Sequence, residues 1–191
     1  MSISETGYQE IFNHSPIAKL ILLPDLPNYT VVDVNLAYLS ATGTTREALI
    51  GQSVFSVFPK SPTDQDAKNI SRSMHSFETA VNTKQPHILE NYRYDIPVNG
   101  SSDFLEKYWT AVNTPLLDEM GQVKLLIHSP TDVTENEMLR RREQDGIEAL
   151  KNQRKQLYAI FMQAPVGIAI FKGPNHVVEL LNNSLAEIYG R

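Results

Sequence analysis

The sequence predicts an α+β domain: an antiparallel sheet with helices packed on one face, followed by a long helix. Three observations predict it. Apolar runs bounded by Pro, Gly, Asn and Asp fall into two groups, one before residue 35 and one from 86 to 130, and turn signals join the neighbours within each group. Between the groups, apolar residues recur at helical spacing. From Thr134 to about Gln163 the composition is helical and strongly charged.

The elements follow in order. Residues 1–14 hold an amphipathic helix, in which Ser2 and Glu5 have capping-box spacing and Tyr8, Ile11 and Phe12 share one face before Pro16 stops it. Residues 17–23 read as a buried strand, Pro24-Asp25-Leu26-Pro27-Asn28 as a turn, and Tyr29 to Val34 as the returning strand. Leu36 to Thr42 is a short helix that Gly43 ends, and Thr45 to Leu49 another that Gly51 ends. Val54 to Pro59 is an apolar knot that anchors into the core, and 60–66 is a polar surface loop. In 67–83, Ile70, Met74, Phe77, Ala80 and Val81 form a helix face. A strand from Pro86 to Ile96, a turn at Asn99-Gly100, a strand from Phe104 to Leu116, a turn at Asp118 to Gly121 and a last strand from Val123 to Pro130 complete the set. Thr134 then opens the long helix, with Glu137 three residues on as its capping-box partner.

The chain also starts the same pattern twice. Phe12-Asn13-His14-Ser15-Pro16 precedes Ile17-Ala18-Lys19-Leu20, and Phe161-Met162-Gln163-Ala164-Pro165 precedes Val166-Gly167-Ile168-Ala169. Asn35 leads to Gly43 and Asn182 to Gly190, both eight residues on. This argues for a tandem array, divided into the helix 1–14, a domain at 15–133, a linker helix at 134–163 and the start of a second domain at 164–191. The second copy runs only to Arg191, so the chain is expected to be a piece of a longer protein.

Composition excludes several classes. A net charge of −5 gives no basis for binding nucleic acid. With no cysteine there are no disulfides, no thiolate metal sites and no sulfur-linked cofactor. The longest apolar stretches are six to seven residues, far below the roughly 18 needed to span a bilayer, and the N-terminus has no signal-peptide pattern. A cytoplasmic location is expected. His14, His75, His87, His128 and His176 show no metal-helix spacing, no Gly-rich phosphate loop is present, and there is no nucleophile elbow. No catalytic or metal-binding residue is assigned.

Ser15-Pro16 with its strand, Val34-Asn35-Leu36-Ala37-Tyr38, Thr42-Gly43, Leu49-Ile50-Gly51-Gln52, Tyr94-Asp95-Ile96-Pro97, Tyr108-Trp109, Asn113-Thr114-Pro115, Gly121, Ile127-His128 and Asp132-Val133-Thr134-Glu135 occur in an order that resembles PAS domains, specifically those ahead of bacterial histidine kinases. The resemblance covers roughly 12–135, with a second start at 161–191. It implies a PAS fold with a five-stranded antiparallel sheet, a cavity between sheet and helices that can hold a ligand, and a role in sensing or relay as input to a histidine kinase of a two-component system. A kinase domain is then expected in the same chain. Input to a diguanylate cyclase or a transcription regulator, and a ligand-free dimerisation module, are the alternatives.

The candidate pocket residues are Met74 and Phe77 on the long helix, Tyr92, Tyr94 and Trp109 on the strands, and His128. Alternation puts Ile88, Glu90, Tyr92, Tyr94 and Ile96 on one strand face. The aromatics either line a pocket or serve as core, and His128 reads as a hydrogen-bonded structural histidine in an apolar strand. His75 is placed where some PAS domains hold haem, but it reads as a partly exposed polar residue. Adduct-forming flavin chemistry is excluded by the lack of cysteine, while non-covalent flavin or a small metabolite stays open. In the resembled family the element at Asp132 and Thr134 couples the core to the output helix. Asp132, Thr134 and Glu137 are therefore the signal-transmission candidates. Leu139, Leu150, Leu157, Ile160 and Ala164 make a seam too poor to bury itself, so a homodimer through the N-terminal and linker helices is expected.

Overall fold

The computed structural model describes residues 4–58, 68–97 and 103–190. The loop expected at 60–66, the turn at Asn99-Gly100 and Ser2 lie outside them. The chain divides into two units, Met1–Glu137 and Met138–Arg191.

In the first unit, α1 (Glu5–His14) precedes a hairpin of β1 (Leu20–Leu22) and β2 (Val31–Val34). Among the described residues, four helices follow: α2 (Leu36–Thr42), α3 (Arg46–Leu49), α4 (Val54–Val57) and α5 (Lys68–Thr83). Then come β3 (His87–Arg93), β4 (Ile96–Pro97), β5 (Phe104–Leu105), β6 (Tyr108–Leu117) and β7 (Val123–Asp132). The main sheet has five antiparallel strands in the order β2-β1-β7-β6-β3. The two strands expected at 86–96 and 104–116 are each interrupted, because β4 and β5 leave the sheet and pair only with each other.

The inward sheet face carries Leu20, Leu22, Val31, Val34 and Leu126, packed with Tyr38, Leu49, Val54 and Phe77 from the helices. Each apolar side chain fully buried here contributes about 2 kcal/mol. A smaller cluster of Leu89, Tyr92, Trp109 and Ala111 fills the β3–β6 end.

Local chemistry sets the boundaries. Gly43 ends α2 at φ 65°, a left-handed conformation that costs a side-chain-bearing residue strain. Ser4 caps α1: its Oγ accepts from Gly7 N at 3.2 Å. Arg46 ties α3 to the hairpin and to α1 by bonding Asp33, the Val34 carbonyl and Asn13.

Asn35 is fully buried and acts as a clamp. Its Oδ1 accepts from Lys19 N at 2.9 Å and Tyr38 N at 3.0 Å, and its Nδ2 donates to Ile17 O at 2.8 Å and Ser15 O at 3.4 Å. One side chain thus caps α2 and pins the chain entering β1.

The helix α6 spans Thr134–Gln163. In the second unit, β8 (Ala169–Lys172) and β9 (Val177–Leu181) form a hairpin before α7 (Asn183–Ile188). Asn182 repeats the clamp bond for bond: Oδ1 accepts from Ile168 N at 2.8 Å and Leu185 N at 3.1 Å, and Nδ2 donates to Val166 O at 2.7 Å and Ala164 O at 3.3 Å.

Candidate functional site

A cavity of about 80 Å³ lies between the helices and the β3–β6–β7 part of the sheet. That is room for on the order of five waters, or one small ring. Of the pocket candidates named from the sequence, Phe77, Tyr92, Tyr94, Trp109 and His128 line it. Met74 does not; it packs against the main hydrophobic core instead. His75 is exposed on α5, its ring 6.5 Å from that of His87, and it takes no part in the cavity wall.

Tyr38 and Thr42 of α2, Phe58 and Pro130 also line the cavity and were not named as pocket residues from the sequence. The usable signal was the i, i+4 spacing of Tyr38 and Thr42, which puts both on one helix face.

The alternation expected on β3 fails at one point. Three steps from Leu89 to Tyr92 face two from Ala111 to Trp109, which is a β-bulge, with Asn91 at φ 44°. The extra residue rotates the strand, so Leu89 and Tyr92 point inward while Ile88 and Glu90 are exposed. Beyond the bulge, Tyr94 and Ile96 reach the cavity.

Among the described residues that line the cavity, none carries a charged side chain. Burial, reinforced by the neighbouring Tyr92 and Tyr94, pushes the Tyr38 phenol well above its usual range. Burial does the same to Tyr92 and raises Tyr94 to about 12. Burial also lowers His128 to about 4, so its imidazole is neutral at pH 7. Trp109 Nε1 donates to the Tyr94 backbone carbonyl at 2.9 Å, which ties the indole to the strand beside it.

The junction with α6 adjoins this wall. Asp132 Oδ1 accepts from Thr134 N at 2.9 Å and Thr134 Oγ1 at 2.5 Å, while Lys107 Nζ donates to Asp132 Oδ2 at 2.5 Å. Burial raises the Asp132 carboxyl, but the hydrogen bonds from Lys107 and Thr134 outweigh it and hold the pKa below the usual value. Thr134 Oγ1 accepts from Tyr108 N at 3.0 Å. The hydroxyl therefore joins helix to sheet and does not cap α6, as the capping-box spacing had suggested. The first helical amide is that of Thr134 itself, and Asp132, two residues before it, is the side chain that accepts from it. Glu137 is buried at the same junction, its N–H bonded to Val133 O at 2.9 Å.

Among the described residues, no group of three or more His, Asp or Glu is placed to hold a metal, and no helix is long and apolar enough to cross a membrane.

The sequence pattern of the PAS fold matches residues 12–137. The chain belongs to the PAS fold family. Among solved structures, an RNA-binding light-oxygen-voltage receptor superposes with a TM-score of 0.57 at 16% identity, over 78% of this chain and 37% of the receptor. This chain thus spans little more than a third of that receptor. The PAS domain of the fruit-fly ELK potassium channel gives 0.50 at 14% identity, over 66% of this chain and 94% of its own. A LOV protein of Rhodobacter sphaeroides gives 0.49 at 14% identity, over 65% and 63%. At these identities the likeness is one of fold. No curated protein matches the sequence significantly.

Proposed function

We propose that this PAS domain senses a small molecule in its cavity and relays occupancy to α6. The observation that supports this is the shared backbone of cavity and junction. On β7, His128 and Pro130 line the cavity and Asp132 anchors the helix two residues on. On β6, Trp109 lines the cavity and its neighbour Tyr108 bonds Thr134. A ligand that moves Trp109 or Pro130 acts on the helix anchor through one or two peptide units. Such a short path needs only two arrangements of similar energy to work as a switch.

The sequence motifs favour a bacterial histidine kinase of a two-component system as the output, with this chain as cytoplasmic input. The repeated Asn clamp supports reading 164–191 as the start of a second PAS domain, with 134–163 as the linker between them. The exposed Leu139, Leu150, Leu157 and Ile160 on α6 support a homodimer through that helix.

The test uses the full-length parent protein. Asp132→Asn keeps the acceptor for Thr134 but weakens the Lys107 contact, and it is expected to change the autophosphorylation rate severalfold with nucleotide affinity unchanged. An unchanged rate counts against relay through the junction. A parent carrying a cyclase or DNA-binding output in place of a kinase would remove the two-component assignment and leave the relay to be read in that output.

A further inference from the structure

Four polar side chains run from the cavity towards the β3 edge of the sheet. His128 Nδ1 lies 2.7 Å from Asn113 Oδ1, Asn113 Nδ2 donates to Ser76 Oγ at 2.7 Å, and Ser76 Oγ lies 2.7 Å from His87 Nδ1. Asn113 and Ser76 are fully buried, and His128 is 7% exposed.

Proton counting gives the chain a direction. Asn113 Oδ1 carries no hydrogen, so His128 Nδ1 is the donor. A neutral imidazole has one N–H, so Nε2 is a bare acceptor. Ser76 Oγ accepts from Asn113, and its bond to His87 Nδ1 runs in either direction according to the His87 tautomer. Among the described residues, no fully buried side-chain nitrogen or oxygen lacks a partner, while the one hydrogen bond of His128 is made by Nδ1. Nε2 therefore opens onto accessible space, and the space that His128 lines is the cavity. The other described wall residues are aromatic and aliphatic, with neutral phenol and hydroxyl groups. An ion entering the cavity would lose its hydration, and none of these residues carries a counter-charge to replace it.

We propose that the cavity takes a compact, uncharged molecule with an apolar body and a hydrogen-bond donor seated on His128 Nε2, and that Asn113 and Ser76 are positioning residues that hold this nitrogen as an acceptor. The proposal rests on the cavity being the ligand site of the sensory reading. It selects donors such as alcohols and phenols over molecules of the same shape that lack the donor, because the bare nitrogen would otherwise give up water for nothing.

The experiment has two arms on the full chain. Long-range proton–nitrogen NMR reads the His128 tautomer without ligand; the expected result is a proton on Nδ1, and a proton on Nε2 overturns the proposal. Ser76→Ala is expected to let both tautomers appear, and an unchanged spectrum would remove Ser76 from the positioning role. In the second arm, phenol and fluorobenzene are titrated. Phenol is expected to bind roughly three- to tenfold tighter, and His128→Leu to erase the difference. Equal binding overturns the donor assignment while leaving the ligand cavity standing. Binding of neither probe up to its solubility overturns both. Should His128→Leu fail to fold, the wild-type tautomer and the wild-type probe ratio still decide.

Discussion

Replacing Thr134 with valine keeps the side-chain shape and removes only the hydroxyl. Two interactions go with it. Tyr108 N loses its acceptor at 3.0 Å, and Tyr108 is 4% exposed, so water does not readily replace it. An orphaned buried amide costs about 1–3 kcal/mol. The lost bond to Asp132 costs less, because that carboxylate is 38% exposed and keeps Lys107 and the Thr134 amide. The sum is about 2 kcal/mol of destabilisation. At about 4 °C per kcal/mol for a domain of this size, the melting temperature should fall by about 8 °C. Thr134→Ser keeps the hydroxyl and should recover most of the loss. Thermal melts followed by circular dichroism, with urea titrations alongside, measure both variants. If the valine variant stays within about 0.5 kcal/mol of wild type, or serine does no better than valine, then the hydroxyl does not join helix to sheet as argued.

Other outcomes follow from the same geometry. His128 stays neutral in the fold down to about pH 4, whereas in the unfolded chain it takes its proton near 6.5. Stability should therefore fall as pH drops from about 6.5 to 4, by about 3 kcal/mol in total; urea midpoints of wild type minus His128→Gln at pH 7.5 and 4.5 isolate that share. Asn35→Ala should cost about 3 kcal/mol, and hydrogen exchange should show the Lys19 and Tyr38 amides losing protection; Asn182→Ala should do the same to Ile168 and Leu185. Lys107→Met should raise the Asp132 pKa, read by carboxyl NMR. A depressed carboxylate contributes stability that is lost as pH falls through its folded pKa, so this variant should lose less stability on acidification than wild type.

Where backbone and side-chain signals are local, the sequence was legible. Leu36 to Thr42 with Gly43 behind it is observed as read, and so is the hairpin before Asn35. The five-stranded antiparallel sheet is as the resemblance implied. Period-two counting broke at Asn91, because an extra residue in one strand shows only in its pairing with the other. Met74 and Phe77 share a helix face in sequence, but the neighbours each meets are set by tertiary packing, and only Phe77 reaches the cavity. Thr134 was read as a cap because capping is a local pattern; its actual partner, the Tyr108 amide, is 26 residues away. Asn113, which with Ser76 links the two histidines, was legible only as part of the family pattern, because its role exists only once β6, β7 and α5 have come together.

The recurring clamp bears on the order in which the fold is made. Asn35 reaches no farther than Ser15, twenty residues back. Closing so short a loop costs little chain entropy, and contacts of low sequence separation form early. By contrast β1 finds its central-sheet neighbour β7 only after more than a hundred residues, as in the pairing of Leu20 with His128. The hairpin, its asparagine and the capped helix thus make a nucleus that can assemble while the strand completing the sheet is still unsynthesised. Asn182 closes a similarly short loop, reaching back to Ala164, so the hairpin of β8 and β9 has the same kind of local start.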